Sequence, residues 1–234
     1  MHKYNKTALL LALALLVGFS AYAQQFTPES DFESEYIEGG RAISITGYTG
    51  TRTVVNIPPQ IQGLPVTSIG YRAFEYTQIT SVTIPNSVTE IGAWAFSDTS
   101  LTSVTIPNNV VSIGAWAFQN TGLTSVVIPN SVTYIGRVAF GNTNITSVTI
   151  PESVTSIENR AFYSSSLTVI QVAPGNHYFS SVDGILYDKA QRRLIQYPGG
   201  RTGAFIIPNS VTSIGNSAFS GTSLTSISIP NSVT

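Results

Sequence analysis

The side chains able to do covalent or acid–base chemistry are few and scattered. The 234 residues include 2 histidines and no cysteine. His2 stands in the N-terminal leader and His177 is alone, so thiol, zinc and Ser-His chemistry each lack a part. Asp183 with Asp188, and Glu152 with Glu158, are the carboxylate types that glycoside hydrolysis uses. That chemistry requires two carboxyl groups at a defined separation, and each of these reads more simply as a turn or surface residue. No Gly-rich phosphate loop follows a strand, and no acidic calcium-binding repeat recurs. The sequence therefore predicts a protein that is not an enzyme and carries no cofactor or metal, with a carbohydrate-active enzyme as a remote alternative.

Residues suited to contact are more numerous. Trp94 and Trp116 recur one repeat apart, at a position that elsewhere holds Arg72, Val138, Arg160 and Ser217. Such a range suggests exposure, and two stacked indoles would make a platform for a sugar or peptide. The simpler alternative is that they lie flat over the coil exterior. Ser103 with Thr105, Ser125, and Ser147 with Thr149 fall on outward positions of successive strands. They predict parallel hydroxyl files about 4.8 Å apart. Flat threonine arrays of that kind resemble the ice-binding faces of some β-solenoid antifreeze proteins, although Val127 interrupts one file. Arg192 and Arg193 join Lys189 in the main basic cluster, among Tyr178, Tyr187 and Tyr197. They read as an interaction loop or as edge charges that discourage aggregation.

What must position these residues is a tandem repeat. The unit from Leu101 to Gly122, LTSVTIPNNVVSIGAWAFQNTG, is 22 residues long. Its Ile-Pro dipeptide recurs at Ile84-Pro85, Ile106-Pro107, Ile128-Pro129, Ile150-Pro151, Ile207-Pro208 and Ile229-Pro230. A fixed period of this size implies stacked coils sharing one continuous core. Val82-Thr83-Ile84 alternates with the strand period, and Pro85 ends the strand because it cannot donate to a ladder. Gly92 is expected to adopt a backbone angle that other residues resist. Ala93-Trp94-Ala95-Phe96 has the composition of a helical turn. The Ala-Phe pair recurs from Ala73-Phe74 to Ala218-Phe219, predicting a phenylalanine column inside the coils.

Five segments follow. Residues 1–23 read as a secretory signal peptide, with Lys3 and Lys6 before the apolar run Ala8 to Val17 and cleavage between Ala23 and Gln24. Residues 24–51 form an acidic segment and a β-hairpin cap, and 52–173 hold repeats. Residues 174–201 form an inserted hairpin, and 202–234 hold further repeats ending mid-unit. The open last coil predicts fraying or end-to-end self-association, and a longer parent protein would explain it. Charged residues are 10% of the chain and the formal net charge is −1, with about a quarter Ser and Thr. Nothing there attracts nucleic acid, and no membrane insertion is expected once the signal is removed. The destination is secreted or cell-surface, the periplasm being a further place the signal allows.

The pattern L-x-x-V/I-x-I-P-x-x-V-x-x-I-G-x-x-A-F resembles the BspA-like, treponemal-type leucine-rich repeat family of bacterial surface proteins. The segments around Gly63-Leu64-Pro65-Val66 and Tyr178 to Tyr187 resemble it too. The resemblance implies a repeat solenoid, mainly β with short helical turns, built as a right-handed stack of 22-residue coils. It also implies adhesion to host or bacterial proteins or glycans, and transfers no binding residue. Family units commonly carry a cysteine after Ala-Phe, where this chain has Thr99, Thr121, Thr143 and Thr222, with Ser165 in the irregular copy. Glu158 replaces the column glycine, so strain or a local adjustment is expected there. The function predicted is an adhesin-type binding protein acting through its repetitive face on an extracellular protein or glycan. The alternative is a structural spacer or self-assembling envelope element.

Overall fold

A computed structural model describes residues 25–164 and 166–234. The expected signal peptide and its cleavage site, and Ser165, lie outside the described residues. The fold is a β-solenoid whose coils repeat every 22 residues: Glu90 pairs with Ser112, Ser112 with Tyr134 and Tyr134 with Ser156, all in parallel. Among the described residues the regular helical structure, apart from a single residue at Gln25, is one 3-10 turn, Glu29–Asp31. No helix there is long and apolar enough to cross a membrane.

The stack begins at a hairpin. Strand Phe32–Ile37 pairs antiparallel with Ala42–Tyr48 around Gly39 and Gly40, both with positive φ. Ala42–Tyr48 then pairs in parallel with Leu64–Ile69, and the ladder continues through Glu90–Ile91, Ser112–Ile113, Tyr134–Ile135 and Ser156–Ile157. The hairpin covers the first coil, whose backbone groups would otherwise face solvent.

Phe74, Phe96, Phe118, Phe140 and Phe162 stack through the interior at 5.0 to 5.6 Å between ring centroids, all essentially buried. Each sits beside an alanine, which leaves room for the ring of the next coil. Thr99, Thr121 and Thr143 are buried too, and each hydroxyl donates to the carbonyl of the phenylalanine three residues back, at 2.9 to 3.0 Å. The threonine column thus satisfies a carbonyl that the turn leaves without a backbone partner.

The expected helical turn at 93–96 takes the form of alternating turns rather than a helix. Ala95 and Ser97 donate within their own coil, to Gly92 and Trp94, while Trp94, Phe96 and Asp98 donate to the next. Left-handed residues make the alternation: φ is 55° at Trp94 and 57° at Asp98, and the same two columns are positive at Trp116 and Asn120 and at Val138 and Asn142. Gly92 is therefore not the residue with the unusual angle. Its column is glycine because a Cβ at Gly114 would lie 2.6 Å from the backbone of Gly92 and Ala93, and one at Gly136 2.5 Å from Ala115 N. At Glu158 the expected adjustment takes a definite form. Arg72, Trp94 and Trp116 each donate their N–H to the next coil, and no equivalent bond joins Val138 to Asn159.

The segment after Val172 stays within the stack. Phe179–Val182, Ile185–Asp188 and Arg193–Gln196 form an antiparallel sheet whose last strand pairs in parallel with Ser213–Ile214. Tyr197 resumes the aromatic column, 5.6 Å from Phe219. A second core forms there around Tyr187, Leu194, Tyr197 and Ile207.

Candidate binding faces

From Thr67 to Thr155 each coil is bonded to its neighbour along the side that carries the short strands. Thr89 donates to Thr67, Val111 to Thr89, Thr133 to Val111 and Thr155 to Thr133, at 2.8 to 2.9 Å. The Ser/Thr side behaves differently. Val54–Asn56 pairs with Ser81–Thr83, and Ser147–Ile150 with Val169–Val172. Between Thr83 and Ser147 the intervening segments around Ser103 and Ser125 enter no strand ladder. Across residues 83–147 the coils are thus joined by ladder bonds on one side and not on the other.

That interruption corrects the expectation of continuous flat hydroxyl files. Ser103, Thr105, Ser125, Ser147 and Thr149 are all exposed, as the alternation required. They do not ride on one continuous sheet, so the regular lattice that an ice-binding face needs is missing across the central coils. Ser103, Thr105, Ser125 and Ser147 make no intramolecular side-chain hydrogen bond, and Thr149 reaches Gln171 at 3.4 Å. Val127, 81% exposed, stands in their midst. Where the coils at 125–130 and 147–151 part, a groove of about 370 Å³ opens. It is lined by Ser125, Val127, Asn130, Ser147 and Thr149 among others.

Trp94 and Trp116 lie on a different side, half-buried, with rings 4.3 Å apart and 10° from parallel. Their outer faces are taken as well. The Arg72 guanidinium lies 5.5 Å over Trp94 and that of Arg137 lies 5.5 Å over Trp116. Tyr71 meets Trp94 edge-on at 5.5 Å. A sugar platform needs a free ring face, and this four-layer stack offers edges only. Arg72 is further tied to Glu75 at 3.1 Å.

Arg192 and Arg193 are exposed at the start of the third strand of the 174–201 segment. Their backbone N–H groups both donate to Asp188 Oδ1 at 2.8 Å, which leaves the guanidinium groups outside the turn. Asp188, the last residue of its strand, thus holds the turn that follows, and His177 is exposed. Among the described residues no cluster of three or more His, Cys, Asp or Glu side chains has metal-binding proximity.

A feature that sequence reasoning missed is an amide ladder. Asn142 donates to Asn120 at 2.9 Å, and Asn120 donates to Asp98 at 2.8 Å. Its signal was the recurrence of Asp or Asn at one column, the residues that best tolerate left-handed backbone.

The BspA type leucine rich repeat region, in six copies, matches residues 66–182 and 201–234. None of the curated proteins matches the chain. Among solved structures, a leucine-rich repeat protein from Eubacterium ventriosum is 29% identical, with a TM-score of 0.71 over 88% of this chain and 59% of that one. The chain thus spans 59% of that protein's length. A leucine rich cell surface protein from Faecalibacterium prausnitzii is 26% identical, with a TM-score of 0.54 over 89% of this chain and 77% of that one. The T. pallidum leucine rich repeat protein, 24% identical, shares the fold with a TM-score of 0.60, over 88% and 83% of the two chains.

Proposed function

The chain belongs to the BspA-type leucine-rich repeat family, and from that membership we propose that it is an exported binding module. It contacts an extracellular protein or glycan through its Ser/Thr face. The observation that carries this reading is the state of that face. Ser103, Thr105, Ser125 and Ser147 are exposed and have no bonding task inside the fold, whereas the threonines of the Thr99 column are consumed by the core. Hydroxyls repeated along a stack without charge suit many weak contacts more than one strong one. The signal-peptide reading of residues 1–23 supports export, and one similar structure is of a cell surface protein.

The test is a graded series. Ser103→Lys, Ser125→Lys and Ser147→Lys are combined stepwise, and adhesion of the purified chain is measured to immobilised collagen, to laminin and to fixed bacterial cells. Binding to at least one surface is expected to fall with each added lysine while circular dichroism stays unchanged. Binding that survives all three substitutions and is lost with Arg192→Glu/Arg193→Glu would move the site to the basic segment. Absence of binding together with concentration-dependent sedimentation would favour the self-assembling element instead.

A further inference from the structure

The groove on the Ser/Thr face differs from the rest of that face in what it can satisfy. No ionisable side chain lines it. A phosphate, carboxylate or ammonium entering it would lose hydration without gaining a counter-charge. Ser125, Ser147 and Thr149 supply hydroxyls and Asn130 an amide, groups that both donate and accept. The backbone adds to them. Ser147–Ile150 exchanges a full parallel register with Val169–Val172 on one edge, and its other edge faces residues 125–128 with no ladder bond. Val127 supplies the complementary apolar element: at 81% exposure it replaces the hydroxyl residue that the file carries at Thr83, Thr105 and Thr149. The volume, about 370 Å³, falls within the range of small-molecule sites.

We propose that this groove binds a neutral saccharide of one or two rings. The C–H face of a ring rests on Val127, and its hydroxyls bond Ser125, Asn130, Ser147 and Thr149. The proposal rests on the reading of the Ser/Thr face as the contact surface and names the ligand class at one place along it. A sugar fits better than an added peptide strand. The groove is bounded by Pro151 and Ala173, and Pro151 has no N–H with which to continue a ladder.

An amide NMR titration of the purified chain tests it, with methyl glucoside, methyl galactoside, methyl mannoside and diacetylchitobiose as probes, up to about 10 mM. At least one sugar is expected to give saturable shifts confined to residues around 125–130 and 147–151. Val127→Lys, at a position already open to solvent, is expected to weaken that binding at least tenfold, about one decade in Kd. Glu90→Lys, exposed on the side that carries the short strands, leaves it unchanged. Blank titrations with all four sugars would overturn the proposal, as would saturation that Val127→Lys does not alter. Shifts produced only by the blocked peptide acetyl-Val-Thr-Val-amide would overturn it in favour of strand addition. The adhesion series stands apart: loss of adhesion with the lysine substitutions alongside blank sugar titrations removes the groove and keeps the face.

Discussion

The indole rings of Trp94 and Trp116 lie 4.3 Å apart, while the phenyl rings of Phe96 and Phe118, from the same two coils, lie 5.4 Å apart. The indole pair is thus the more tightly stacked of the two. Its outer faces are taken by Arg72 and Arg137, which closes that candidate site, whereas the missing ladder bonds around Ser125 leave the groove.

If the tryptophans are a packed pair, they must be energetically coupled. Urea denaturation of Trp94→Ala, Trp116→Ala and the double variant is expected to return a coupling of about 0.5–1.5 kcal/mol, the range of aromatic pairs. A coupling within about 0.3 kcal/mol of zero would mean that the rings are merely adjacent.

The glycine column is explained by contact between coils, and that explanation separates two glycines. Gly114→Ala places a Cβ 2.6 Å from the backbone of the preceding coil. With no flexible side chain to yield, the substitution is expected to cost about 1–3 kcal/mol. At Gly122 the nearest atom is Leu101 O at 3.3 Å, and φ is not positive. Gly122→Ala is expected to stay within about 0.5 kcal/mol of the parent, aided by the lower entropy of its unfolded chain. Equal losses at the two sites, read from thermal melts, would contradict the contact argument.

The phenylalanine column and the strand alternation were legible because both follow from period alone: Phe74 to Phe162 recur in register, and Val82-Thr83-Ile84 alternates. Exposure of Ser103, Thr105, Ser125, Ser147 and Thr149 followed from the same alternation. What escaped depends on relations between coils. The left-handed angle lies at Trp94 and not at Gly92, and nothing in a tryptophan, arginine or valine advertises such an angle. Arg72 and Arg137 occupy different columns of the repeat, so their stacking on either side of the indole pair had no periodic signature. The interruption of the ladder under the hydroxyl face depends on how neighbouring coils meet, which no single unit encodes.

The amide ladder makes Asn120 the link between three coils. Asn120→Ala removes its bonds to Asp98 and Asn142 and puts a non-glycine residue without a local hydrogen bond at φ 54°. The expected loss is about 1–3 kcal/mol, from two modest bonds plus the left-handed penalty. Asn120→Gly loses the bonds and keeps the angle, so it should be the milder of the two. If the two variants unfold at the same urea concentration, the backbone angle carries no part of the cost.

Alkaline pH should loosen the second core before any site on the Ser/Thr face. Tyr187 is buried in that core, and burial raises its phenol above the ordinary value near 10, with Asp183 and then Tyr197 adding to the shift against a lowering from Arg201. A phenol whose folded pKa is raised keeps its proton more tightly in the native state than in the unfolded chain. Its contribution is therefore fully present below about pH 10 and is lost as pH rises from there through the folded value. Urea midpoints are expected to hold up to about pH 9.5 and to fall beyond it. Tyr187→Phe keeps the ring and removes the titrating group, so it should flatten part of that fall. Tyr134, also raised by burial and by Glu158, lies on the surface of the first core, and Tyr134→Phe should flatten it less. A Tyr187→Phe variant whose midpoint falls as steeply as the parent's would show that the alkaline loss arises elsewhere in the stack.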